Sequence, residues 1–222
     1  MALIVYGPNL SPFVRKVRVV LAEKNVPYSL EPVNPFGAPP EFRAISPLGR
    51  VPVLRDTEVA EPNTVPDSSV ICAYLERKFP APALYPADPF LRARAEWFEE
   101  YADTALAEAV GRGLFFERVV KKLLRQQPDE HTCETALAKR IPPVFDYLEK
   151  ELEGREFLVG DTFSIADIAL CTHLVNFEHA GEKPDATRWP NLAAYGARLH
   201  ARPSFAASLG EERPFVAKIR AA

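Results

Sequence analysis

Strands alternating with helices over the first third of the chain, then an almost unbroken helical pattern, predict an α/β unit followed by an all-helical one. Three observations carry this. Short β-prone runs at Leu3–Tyr6, Tyr28–Pro32 and Val51–Arg55 flank helical segments, an alternation that argues for a parallel strand pair. Fifteen of the 22 prolines lie in residues 1–89 and none lies between Phe90 and Gln127, so turns crowd the first part and long helices are permitted after it. Between the two regimes, residues 81–88 hold Pro82 and Pro86 and no apolar periodicity, which reads as a linker.

Taken in order, Leu3, Ile4 and Val5 form an apolar strand that Gly7-Pro8-Asn9 ends as a turn. Ser11 is a good N-cap and Pro12 suits the first helical position, where its missing N–H costs nothing. Phe13, Val17, Val20 and Leu21 then mark one apolar face of a helix over Pro12–Lys24. A strand at Tyr28–Pro32 leads to a Pro/Gly loop at Asn34–Pro40, a short helix around Glu41–Ile45 and a strand at Val51–Arg55. A weaker strand is expected near Thr64–Val65; its approach over Asp56–Pro66 is several residues longer than a tight hairpin. A helix opens at Ser68 and runs through Ile71, Tyr74 and Leu75 to Phe79-Pro80. Beyond the linker, Phe90–Lys122 reads as one helix or two, with Gly111 and Gly113 as places to bend. Thr132–Leu152 is helical, but Pro142-Pro143 must kink or restart it. Ser164–Glu178 and Asn191–Ala201 are further helices.

Bulk properties narrow the function classes. With 47% hydrophobic and 26% charged residues, the 222-residue chain has ordinary globular composition and ample room for a core. A net charge of -3 leaves no footprint for nucleic acid or an anionic membrane. No apolar stretch approaches the roughly 20 residues needed to span a bilayer. Pro8, Pro12, Arg15, Lys16 and Arg18 break the order expected of a secretory signal. Cys72, Cys133 and Cys171 are odd in number and widely spaced, and His131, His173, His179 and His200 form no ligand spacing with them. Neither a disulfide framework nor a metal site is expected, and a reducing cytoplasm fits.

The chemistry-bearing features are four. The helix opening at Ser11 points free N–H groups and the positive dipole end at its hydroxyl, which suits either plain capping or a bound anion. Ser46-Pro-Leu-Gly-Arg50-Val51-Pro52 places a proline at the start of an apolar strand. Asp67-Ser68 opens a second helix with a carboxylate beside a hydroxyl. Phe157-Leu-Val-Gly-Asp-Thr-Phe-Ser164-Ile-Ala-Asp167 pairs an N-cap serine with an acid three residues on, a variant of the capping box.

These features, together with Leu84-Tyr-Pro-Ala-Asp-Pro, occur in the order and spacing of the cytosolic glutathione transferases, and the chain resembles that family over essentially its whole length. The resemblance implies a thioredoxin-like domain over residues 1–80, a linker over 81–89, and an all-helical domain over 90–222 that supplies the electrophile pocket and dimer contacts. It implies a cytoplasmic homodimeric transferase of detoxification, using glutathione as co-substrate and no metal, without nucleic-acid or membrane partners. Ser11 would hydrogen-bond the glutathione sulfur; Tyr6 and Asn9 are rivals for that contact. Val51 would pair with the cysteinyl part through its backbone beside a cis Pro52. Arg50 would meet the glycyl carboxylate, Ser68 the γ-glutamyl carboxylate and Asp67 the ammonium, although relatives more often carry Glu or Gln at that last position. Leu10, Phe115 and Phe116 would line the pocket of a small hydrophobic electrophile. Isomerisation, dehalogenation or ether cleavage on the same fold is the alternative chemistry, and a non-catalytic binding or regulatory member the alternative class. Ser164 and Asp167 take no catalytic role, and core packing is expected for most of Trp97, Phe98, Tyr101, Phe115 and Phe116.

Overall fold

The computed structural model describes residues 2–221, which form two compact units, one ending at Tyr85 and the other starting at Pro86. In the first unit, β1 (Leu3–Tyr6), α1 (Pro12–Glu23), β2 (Tyr28–Glu31), α2 (Pro40–Ile45), β3 (Val53–Asp56), β4 (Thr64–Pro66) and α3 (Ser68–Lys78) follow one another. The strands make one mixed sheet in the order β2-β1-β3-β4. β1 and β2 are parallel, joined through α1, while β1–β3 and β3–β4 are antiparallel. This is the thioredoxin-like arrangement.

Sequence dictates these elements locally. The Ser11 side chain accepts the Val14 N–H, with Pro12 opening α1. The apolar face expected to begin at Phe13 begins instead at Val14, and Val14 to Leu21 are buried without a break, Arg15, Lys16 and Arg18 included. Alternation in β1 sends Ile4 and Tyr6 to the face where Ala38, Phe42 and Val53 cluster, with Tyr6 tilted against Phe42 at 6.4 Å. The unit closes at its end around Lys24, whose fully buried ammonium reaches Glu76 at 2.7 Å and the carbonyls of Phe79 and Pro82 at 2.7 and 2.8 Å. Glu76 in turn accepts the Leu84 and Tyr85 N–H groups. Every donor of this lysine thus meets an acceptor, which is what burial of a charge requires.

A second ionic knot joins β3 to α3. Lys78 and Tyr74 both donate to Asp56 Oδ2, and the Glu58 N–H donates to Oδ1 at 3.0 Å. Burial acts to raise the Asp56 carboxyl, but these three bonds outweigh it and hold it below its ordinary value, while the bond to Asp56 raises Lys78. A depressed carboxylate stabilises the fold above its unfolded value near ~4 and loses that contribution as pH falls through the folded value. The lysine's contribution is full below its unfolded value near ~10.4 and fades only above it. Asp56→Asn is therefore expected to lower Tm at neutral pH, with the gap to wild type closing as pH falls below about 4. Calorimetry from neutral to acid pH checks this; a gap independent of pH contradicts it.

The second unit is helical: α4 runs continuously over residues 89–123, α5 over 130–151, then α6 (Ile165–His179), α7 (Pro190–His200) and α8 (Pro203–Ala221). Pro142-Pro143 lies where the expected restart falls: wider winding over Ala136–Arg140 gives way at Ile141 to regular α-helix, with proline in its first turn. α8 was not expected from the pattern at all, since Gly210 and Pro214 fall within it. At Gly113 in α4 a methyl would stand 2.6 Å from Ala136 Cβ, so that glycine marks close approach to α5. Trp97 is 47% exposed, with its indole donating to Tyr147, whereas Phe98 is buried as expected. Every residue of α6 except Glu178 is buried, which makes it the central helix of its unit. No helix among the described residues is long and apolar enough to cross a membrane.

Candidate functional site

Register brings three of the singled-out segments to one end of the sheet. Tyr6 at the end of β1 pairs with Val53 at the start of β3, which pairs with Pro66 at the end of β4. The turn at 7–11, the loop at Arg50–Pro52 and the Asp67-Ser68 opening of α3 therefore leave the sheet side by side. Gly7 joins the first two. Its φ is +144°, and a methyl there would lie 2.5 Å from Val14 Cγ2 and 3.1 Å from Val51 Cβ. Gly7→Ala must push α1 away from the Val51 loop and strain the turn, so it is expected to cost about 1–3 kcal/mol. Thermal denaturation checks this, and a Tm equal to wild type would show that the two segments are not pressed together.

Ser11 is half-buried at the N-cap. Its Oγ accepts the Val14 N–H at 3.4 Å, its own N–H donates to the Pro8 carbonyl at 3.1 Å, and its carbonyl accepts the Arg15 N–H at 2.9 Å. With the oxygen accepting from the helix, the hydroxyl still has its proton to donate. Of its rivals, Tyr6 is a core residue with its ring against Phe42 and the Arg55 guanidinium 5.6 Å from the ring centre. Asn9 is a half-buried turn residue. Leu10 is buried in the same turn.

The strand expected from Val51 starts at Val53, so Val51 lies outside the ladder that pairs β3 with β1. The Val51–Pro52 bond is cis, as are Glu61–Pro62 and Ala81–Pro82. Ser46 fixes the loop: its buried hydroxyl donates to the Arg50 carbonyl at 2.7 Å and accepts the Arg50 N–H at 3.1 Å. The Arg50 side chain is exposed.

Asp67 sits at φ +78°, a conformation that costs a non-glycine residue about 1–3 kcal/mol. Its Oδ1 alone caps α3, receiving the Ser69 N–H at 2.9 Å and the Val70 N–H at 3.3 Å. Ser68, the next residue, is 3% exposed. Neither its hydroxyl nor its N–H has a partner among the described residues. Together with the dipole end of α3 these groups suit a carboxylate.

Phe115 and Phe116 belong to α4 of the second unit, the first buried and the second half-buried. Sequence reasoning missed Ser46, Gly7 and a contact between helices, in which the buried Lys16 of α1 donates to Ser69 Oγ at 3.0 Å. A signal for the last was present: a lysine in a run that is otherwise buried. Among the described residues no group of three or more His, Cys, Asp or Glu could hold a metal ion.

Comparison with known proteins bears on this site. Residues 5–83 match the family model "Glutathione S-transferase, N-terminal domain" and residues 115–212 match "Glutathione S-transferase, C-terminal domain". The chain is 28% identical to FtsZ-localized protein A of Caulobacter vibrioides, over 94% of this chain and 91% of that protein. It is 30% identical to glutathione S-transferase GstB of Escherichia coli, over 90% of this chain and 93% of that protein. Among solved structures, a glutathione S-transferase from Rhodospirillum rubrum F11 superposes with a TM-score of 0.85 at 30% identity, covering 93% of this chain and 91% of that one.

Proposed function

The chain belongs to the glutathione transferase family, and from that premise we propose that it binds glutathione in its first unit and adds the glutathione sulfur to a small hydrophobic electrophile. The observation that carries this reading is a hydroxyl at a helix N-terminus, with its oxygen accepting from that helix, packed through Gly7 against a loop whose Val51 lies outside the sheet ladder. Ser11 would donate its hydrogen bond to the sulfur, and the α1 dipole would add positive potential, so the thiol loses its proton to solvent; the sulfur lone pair then forms the new bond while a leaving group departs with its electron pair, or while a π bond of the electrophile opens and takes a proton from solvent. Val51 would pair with the cysteinyl backbone like an added strand. Ser68 would hold the γ-glutamyl carboxylate, the second oxygen of Asp67 the ammonium, and Arg50 the glycyl carboxylate. Leu10 offers apolar surface beside Ser11. Cytoplasmic residence belongs to the same reading, supported by three buried free cysteines, and so does a homodimer, which sedimentation of a single-chain species would overturn.

Retention on immobilised glutathione followed by a panel of electrophiles tests the reading. Ser68→Ala and Asp67→Ala are expected to raise KM for glutathione with a smaller change in kcat, because contacts remote from sulfur bind ground and transition states alike. Equal losses in kcat with unchanged KM contradict these roles. A second reading, a binding or regulatory protein on the same fold, draws on the likeness to FtsZ-localized protein A and on the cap bond that already occupies the Ser11 oxygen. Glutathione retention without turnover of any electrophile favours it.

A further inference from the structure

Ser46 is 2% exposed, and its N–H, carbonyl and hydroxyl are all engaged at the turn from α2 into β3. The N–H donates to the Phe42 carbonyl at 2.9 Å, and the carbonyl accepts the Gly49 N–H at 2.8 Å. The hydroxyl then takes both backbone groups of a single residue. It donates to the Arg50 carbonyl at 2.7 Å and accepts the Arg50 N–H at 3.1 Å. Phe42 ties this clasp to the sheet, since it is buried with its ring 6.4 Å from that of Tyr6 in β1. A buried hydroxyl that donates and accepts on one residue leaves the two peptide planes of that residue little freedom to turn.

The consequence falls on Val51. The Arg50–Val51 peptide is planar and trans, so its carbonyl and the Val51 N–H point in opposite directions. With the carbonyl pinned to the buried Ser46, the N–H is turned away from it. Val51 is half-buried and makes no ladder or loop hydrogen bond among the described residues. It lies against Gly7, in the turn that leads to Ser11. Resting on the glutathione reading above, we propose that Ser46 is a positioning residue for the tripeptide, aiming the Val51 N–H at the cysteinyl carbonyl. Ser46 touches neither the ligand nor the reacting sulfur; it acts through the Arg50 peptide. Without the clasp that plane is free to rotate, and the donor is no longer set before the ligand arrives.

The test compares glutathione with its (E)-alkene isostere at the cysteinyl–glycine bond, which lacks that carbonyl, by calorimetric titration of the full chain. Wild type is expected to bind the isostere about fivefold more weakly, as loss of one hydrogen bond would. Ser46→Ala is expected to bind glutathione about fivefold more weakly than wild type and the isostere equally well, so that the preference vanishes. An equal loss for both ligands would show that Ser46 only holds the loop together and would overturn the proposal, as would unchanged binding of both. Should Ser46→Ala lack a cooperative melt, Ser46→Cys replaces it, since a thiol is a weaker donor and acceptor of similar size. A preference reduced to about twofold is then expected, and one kept in full overturns the proposal. Wild type that binds neither ligand overturns the glutathione reading itself. Wild type that binds both equally leaves that reading standing and overturns the pairing at Val51, and the role of Ser46 with it.

Discussion

Ser11→Ala is expected to raise the pKa of bound glutathione thiol by up to about two units and to lower conjugation at pH 7 by up to about twenty-fivefold, with a smaller change in glutathione affinity. A thiol near ~8.5 is only a few per cent ionised at pH 7, and a depression of about two units makes most of it thiolate. That shift corresponds to about 2.7 kcal/mol of differential stabilisation. On the proposed reading the shift would have two sources: Ser11, whose oxygen accepts the Val14 N–H and whose proton is left to donate, and the N-terminus of α1, which Ser11 caps. Alanine removes the first source and leaves the second, so some depression should survive. It also removes an N-cap, worth about 0.5–2 kcal/mol of stability, so the melt of the variant must be recorded beside its kinetics. Ultraviolet titration of the bound thiolate decides the matter. If variant and wild type titrate alike, Ser11 is a helix cap alone, and Asn9 becomes the candidate, because Tyr6 is held in the core against Phe42.

Features set by neighbours in sequence were legible without coordinates. Ser11-Pro12 specifies a helix start, the apolar triplet before Gly7 specifies a strand, and the two together give β1, the turn and α1. Both the Asp67 cap of α3 and the capping box at Ser164 follow from spacing in the same way. What spacing does not encode is which distant segments touch. Lys16 and Ser69 are 53 residues apart, and the crowding at Gly7 comes from Val14 of α1 and from Val51 across the sheet end, which spacing does not bring together. The Ser46 clasp on Arg50 is local but has no periodic signature, since it depends on how the loop is folded. α8 escaped because Gly210 and Pro214 are breakers on local grounds, and tertiary packing overrides such propensity. Proline spacing did mark the change at Pro142-Pro143, where both rings sit at the start of regular winding.

Asp167→Ala is expected to be the most damaging single substitution for stability, well beyond what a capping box is worth. Asp167 is completely buried and collects four donors: the Leu158 N–H at 3.0 Å, the Ser164 N–H at 2.8 Å, the Ser164 hydroxyl at 3.1 Å and the Tyr195 hydroxyl at 2.7 Å. It therefore joins the segment before α6, the first turn of α6 and the side of α7. Alanine would strand these donors in the interior, where each unsatisfied group costs about 1–3 kcal/mol. Reorientation of the two hydroxyls recovers part of the sum, which leaves a loss of about 3–5 kcal/mol and a fall in Tm of about 10 °C. Asp167→Asn should lose less, because its carbonyl still serves one pair of donors while its amide faces the other. The pH signature is opposite to that of Asp56. Burial pushes the Asp167 carboxyl up although all four donors favour the ionised form. A carboxyl raised on folding contributes most below its unfolded value near ~4 and less as pH rises through the folded one, so the gap between wild type and Asp167→Ala should narrow with rising pH. Calorimetry across that range reads both effects. A loss under about 1 kcal/mol would show that the four donors find other partners. Lost turnover with an unchanged melt would instead place Asp167 in the chemistry rather than in the fold.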